Sequence, residues 1–347
     1  MNPMIQKAGD DSTNIQAEKV FINNGLSYQD VKEICSDVFH DNFMKMRNEA
    51  SQLAQDRAEQ ITEDFLASLQ KNNPEGLNCA QDPDFQYSLF EVQKEYAKTG
   101  DKELGDLLVN LLLDRTKQPK RSILQIVLNE SISVASKLTA EQIDALSVAF
   151  LMRYTRNTNV INIFTFKKYL DEHYFPYSST INKNDSCYQH LQYAGCGSIS
   201  IGSFDIRNLL KNTYGGIFSK GFDLNTLGEF GNDLLHFPQI LATCLHDNQK
   251  MQMNAMSIDV LNSSIASLEI EAEMAGKIRD LYNNSLMDDE QVEKYVISLC
   301  DYMNNIFEVW KNSKLQNFQL TSVGIAIGHA NVKKHISNFS DLSIWIN

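Results

Sequence analysis

Apolar residues recur at steps of three and four through most of this chain, the spacing that puts one stripe along a helix. The longest such stripe follows Ser27: Val31, Ile34, Val38, Phe39, Phe43, Met46, Ala50, Leu53, Ala54, Ala58, Ile61, Phe65 and Leu69. Ser27 suits an N-cap, and Asp30, three residues on, suits the free amides and the dipole of the first turn. Charged and amide residues fill the other face from Lys45 to Asp64, and Asn72-Asn73-Pro74-Glu75-Gly76 breaks the pattern. Read as one helix from Ser27 to Gln70, the run spans roughly 65–70 Å at 1.5 Å per residue. That is longer than one compact domain needs, so a coiled-coil-like oligomerisation helix is expected. Its spacing begins near a heptad and drifts toward eleven, which argues against a simple zipper.

Further helical periodicity covers Phe85–Thr99, Asp101–Thr116, Ser122–Leu138 and Val160–Tyr174. Thr139-Ala140-Glu141-Gln142 opens another helix with a capping box, and that helix is apolar on most sides, as a central helix would be. Residues 176–231 are rich in glycine and turn residues, with Ser198-Ile199-Ser200-Ile201 alternating like a short strand. Helices are expected again over Leu234–Leu245, Met253–Tyr282, from Asp288 or Asp289 to Trp310, and over Leu320–Lys334, before a docked tail that includes Trp345. The fold class is mainly α: an extended leader over residues 1–25, a long oligomerisation helix over 26–72 and a helical globular domain over 73–347. Ile15 of the leader and Val31, Ile34, Val38, Phe39, Phe43, Met46, Ala50, Leu53, Ile61 and Phe65 of the helix are the expected oligomer contacts, in a trimer or tetramer.

Composition adds exclusions. The net charge is −13 over 347 residues, which repels phosphate backbones and argues against nucleic-acid binding. The one dense basic stretch, Arg115, Lys117, Lys120 and Arg121, reads as a solvated loop. No run is apolar enough to span a membrane, and no secretory signal is evident. Six scattered cysteines make no disulfide framework and point to a reducing cytoplasm.

Candidate chemistry is sparse. Cys187-x-x-His190 has zinc-binding spacing, which Cys196 and His173 could complete. Cys196 in its Gly-Cys-Gly turn, with His190 or His173, is a candidate nucleophile for a hydrolase. Cysteine packed in a glycine turn is the competing explanation. No cofactor is expected, since Gly195-x-Gly197 lacks the lysine and strand of a phosphate loop. The segment Leu320–Val332 allows a membrane-perturbing effector or, more simply, a buried helix.

Several stretches together resemble a known family. They are Gly9-Asp10-Asp11-Ser12-Thr13-Asn14-Ile15-Gln16, Leu26-Ser27-Tyr28-Gln29-Asp30-Val31, Leu138–Leu146, Gly195–Ile201, Phe218–Phe222, Leu320–Gly328 and Leu342–Ile346. The chain resembles the uncharacterised bacterial "LPO/Vpar" proteins along its whole length. The resemblance implies no catalytic residues. The leader followed by a long helix is also similar to the front ends of bacterial defence proteins. The expectation is a homo-oligomeric sensor, scaffold or effector in anti-phage defence that acts by binding.

Overall fold

The computed structural model describes residues 26–43, 48–336 and 338–347. The mainly α expectation holds. The stretch expected to be one rod is two helices, α1 (Tyr28–Phe43) and α2 (Asn48–Asn72). Ser27 and Asp30 cap α1 reciprocally, the Ser27 amide donating to Asp30 at 2.9 Å and the Asp30 amide to Ser27 Oγ at 3.2 Å. The two helices lie side by side, with Lys32 Nζ 2.7 Å from Glu63 Oε1. In a continuous helix those residues would stand about 46 Å apart at 1.5 Å per residue. The apolar stripe meets itself instead. Val31, Phe39, Ile61 and Phe65 are buried within the chain, Ile34 and Val38 are half-buried, and Ala50 and Leu53 are exposed. Ile15, Met46 and the Phe43 side chain lie outside the described residues.

Helix α3 (Pro83–Thr99) staples this hairpin. Its buried Gln93 donates from Nε2 to the Cys35 carbonyl on α1 at 3.0 Å and to Thr62 Oγ1 on α2 at 2.9 Å. Helices α4 (Lys102–Thr116) and α5 (Ile123–Ala135) complete the first layer. Arg115, at the end of α4, is no solvated basic residue: it is fully buried and meets Asp82 at 3.1 Å and Asp84 at 2.7 Å. The isolation of a buried guanidinium is costly, so these two carboxylates are required by it.

Helices α6 (Ala140–Tyr154), α7 (Ile163–His173) and α8 (Asp185–Tyr193) follow, then strand β1 (Gly197–Ile199) and α9 (Ile206–Tyr214). Thr139 and Gln142 form the expected capping box of α6. The helix expected over Leu234–Leu245 is absent. Helix α10 (Glu229–Leu234) ends there, and β2 (Leu241–Thr243) pairs antiparallel with β3 (Met251–Met253). Short apolar runs such as Leu234-Leu235 and Ile240-Leu241 fit a turn and ribbon as well as a helix, and periodicity over so few residues does not separate them. Helices α11 (Ile258–Ser267) and α12 (Ala272–Asn284) divide the expected Met253–Tyr282 helix, Glu269 taking a left-handed φ of 52° between them. With Phe222, Leu234, Ile240 and Met253 they enclose a second, smaller core.

Helices α13 (Asp289–Leu299) and α14 (Met303–Asn312), strand β4 (Phe318–Leu320) and α15 (Ser322–His335) return the chain to the main core. Every residue from Val323 to Val332 is buried, so the segment weighed as a membrane effector is the axis of the fold. It packs on α6, α4 and α5. Two glycines allow this. A Cβ at Gly324 would overlap the Cys196 carbonyl, and one at Gly328 would stand 2.9 Å from the Leu146 carbonyl. Strands β1 and β4 pair antiparallel beside this contact, Gly197 opposite Leu320.

These contacts give a paired test. Gly324→Ala should destabilise the protein by at least about 1–3 kcal/mol, the usual range for overpacking. Gly276→Ala, in α12 with nothing near its added Cβ, should be neutral or stabilising by about 0.4–1 kcal/mol. Urea unfolding of both variants checks this; equal midpoints would contradict the packing described.

Candidate functional site

The four residues considered as zinc ligands are not gathered into a site. Among the described residues, no three His, Cys, Asp or Glu side chains are placed to hold a metal ion. Cys187 and His190 face Gln142 of α6, which donates from Nε2 to the Cys187 carbonyl at 2.9 Å and lies 3.0 Å from His190 Nδ1. Burial pushes the Cys187 thiol up to about 11. Cys196 has no exposed surface, and burial pushes its thiol up to about 12. A nucleophilic cysteine needs thiolate and access, and Cys196 has neither. Its backbone does the work instead: Thr321 N donates to the Cys196 carbonyl at 3.1 Å, and Thr321 Oγ1 to the Gly195 carbonyl at 2.6 Å. The Gly-Cys-Gly turn is a seam that seats α15. A side chain at Gly197 would strike Phe318 and the Gln319 carbonyl.

His173 belongs to a different place. It ends α7 and lines a cavity of about 540 Å³, within the roughly 300–1,000 Å³ typical of ligand pockets. One wall is the end of α6 and the loop Tyr154–Asn159. The second is α7, with Tyr169, Glu172 and His173. The third is the C-terminal tail, with Asn338, Phe339, Ser340, Ile344 and Trp345.

The tail is fastened at several points. Trp345 Nε1 donates to the Tyr154 carbonyl at 2.7 Å, and its ring meets Phe150 edge-on at 5.0 Å. Phe339 stacks on Trp345 at 5.9 Å. His329 of α15 lies 2.8 Å from the Ser340 carbonyl through Nε2, so that nitrogen carries the proton. Lys117 reaches Asp341 at 3.2 Å. Burial works to raise the Asp341 carboxyl, but the Ser343 hydroxyl and amide and Lys117 outweigh it and hold it at about 2.

Behind the lining residue Tyr169 lies a cluster of uncharged phenols, Tyr174 and Tyr214. Tyr169 OH and Tyr174 OH are 3.2 Å apart, and the Asn157 amide donates to Tyr214 OH at 2.8 Å. Burial pushes all three phenols far up, so they stay protonated. The His173 ring packs on Tyr169 at 4.5 Å between centroids and is 7% exposed. Burial pulls its pKa down to about 4, against the opposing pull of Glu172 and the Tyr169 backbone. It is therefore neutral near pH 7, and its buried Nδ1 makes no well-formed hydrogen bond. An unmet buried donor or acceptor costs about 1–3 kcal/mol. At the rim, Glu172 sits 3.7 Å from Lys168. Arg156 is exposed and makes no ion pair among the described residues.

His173 is thus neither a zinc ligand nor the partner of Cys196, the two roles its sequence context suggests, and the cavity is not evident from that context. The polar run Thr155-Arg156-Asn157-Thr158-Asn159 directly after an apolar helix was the available signal. Only the tail's return across the core makes that run a wall.

The fold and this geometry define a mainly α protein with a preformed polar cavity and an inert, structural cysteine turn. A family model matches residues 25–346, and the chain belongs to that uncharacterised family. No curated protein and no solved structure matches the chain. No helix among the described residues is long and apolar enough to cross a membrane.

The buried imidazole sets a pH dependence. The unfolded pKa is 6.5 and the folded one about 4, so the unfolded chain binds the proton more readily between them. Stability from this group is complete above pH 6.5 and is lost as pH falls through about 4. His173→Gln should therefore flatten part of the fall in melting temperature between pH 6.5 and 4. An unchanged slope would show that the ring is not held neutral.

Proposed function

We propose that the protein works by binding, as a homo-oligomeric sensor or effector of anti-phage defence in the bacterial cytoplasm, and that the cavity beside His173 is its ligand site. The observation that carries this reading is the cavity itself: a polar space of about 540 Å³ with a sealed, neutral histidine in its wall. The competing hydrolase at Cys187–Ser200 has no support from the burial of Cys196. Self-association rests on what the α1–α2 hairpin leaves open. Ala50 and Leu53 are exposed near the start of α2, Leu53 at 52%, and they continue the stripe that the hairpin buries further along. The defence setting rests on the resemblance of the leader, which lies outside the described residues.

Plating a panel of phages on bacteria that express the full chain tests the reading. Wild type should lower plating efficiency for some phages by at least tenfold. Asn159→Trp, which blocks the cavity at an exposed lining position, should restore it without lowering the melting temperature. Restriction of no phage would contradict the defence role, and equal restriction by the blocked variant would contradict the cavity. Sedimentation of wild type as a monomer at micromolar concentration would contradict self-association.

A further inference from the structure

We infer that the cavity between α6, α7 and the tail takes a nucleoside monophosphate; this rests on the cavity being the ligand site. Three kinds of group meet there. Tyr154, Phe339 and Trp345 are aromatic residues of its lining, Phe339 and Trp345 already stacked on one another, and such stacks extend to planar heterocycles. Asn157, Asn159 and Asn338 bring side-chain amides. An amide offers a donor and an acceptor side by side, the arrangement that reads the edge of a base. The charged residues are one of each sign. Arg156, with no carboxylate partner among the described residues, suits a phosphate through its planar fork. Glu172 is an acceptor suited to ribose hydroxyls, the role an acidic residue takes in other nucleotide sites.

The remaining choices fit less well. A polynucleotide is disfavoured by the −13 net charge, while a single phosphate needs only one cation. A purely apolar ligand would offer the asparagine amides and Arg156 no partner. A free sugar would leave Arg156 without an anion. His173, more than nine-tenths buried, enters the same wall with its Nδ1 unpartnered. The uncharged imidazole ring suits a neutral heterocycle beside it better than a second anionic group.

Calorimetric titration of the full chain with AMP, CMP, GMP and UMP tests the inference, each run beside its own nucleoside and beside inorganic phosphate. At least one nucleotide should bind at least tenfold more tightly than its nucleoside and than phosphate. Arg156→Ala, at an exposed position, should erase the advantage of nucleotide over nucleoside and leave the melting temperature unchanged. Glu172→Gln should weaken nucleotide and nucleoside alike. Absence of heat with all four nucleotides at millimolar concentration would overturn the inference, as would phosphate binding equally well or Arg156→Ala keeping the full advantage. If Asn159→Trp abolishes phage restriction while no nucleotide binds, the cavity reading stands and the ligand class falls. If a nucleotide binds as described and no phage is restricted, the ligand class stands and the defence role falls.

Discussion

The close approach of α15 to its neighbours is the constraint on which the rest of the structure depends. Gly324 lets the helix backbone touch the Cys196 carbonyl, and Gly328 lets it touch the Leu146 carbonyl. Burial of ten successive residues, Val323 to Val332, leaves α15 no solvated face, so its polar members must be satisfied inside. They are. Asn331 Nδ2 donates to Asp144 Oδ1 and to Ser147 Oγ, both at 2.9 Å, and Thr180 donates to the other Asp144 oxygen. Burial raises the Asp144 carboxyl while those donors pull it back. Such networks specify one arrangement because a partial match leaves buried polar groups unpaired.

That constraint also decides what the chemistry-bearing residues can do. Cys196 is spent on seating α15, which explains its glycine neighbours without catalysis. His329, carried by α15, holds the tail through the Ser340 carbonyl. The tail then closes the third wall of the cavity around His173, Arg156 and the asparagines. The cavity thus follows from a packing requirement: place α15 at the axis, and the residues after it must cross the end of α6 on their way out.

Local signals were legible in the sequence. The Thr139–Gln142 capping box, the Asp288 cap and the Ser198–Ile199 alternation each describe a structure made by neighbours in the chain. The fate of the first stripe was not, because an apolar face says only that something covers it. Lys32 and Glu63 lie on one surface whether the cover is another copy or the same chain folded back. The break at Glu269 was hidden too. No glycine or proline marks it, and a left-handed glutamate is a choice made by tertiary packing. The cavity was illegible for the plainest reason: its walls come from three segments, the last almost 200 residues after the first. Of the candidate site residues, His173 alone was placed in it, and with a different role.

Native-state hydrogen exchange measures the central claim directly. If α15 is the axis, the amides from Ile325 to Val332 exchange only through global unfolding, more slowly than those of α11 and α12 in the smaller core, and Gly324→Ala speeds them along with the tail. Fast exchange across α15 under conditions where α11 and α12 stay protected would contradict the account.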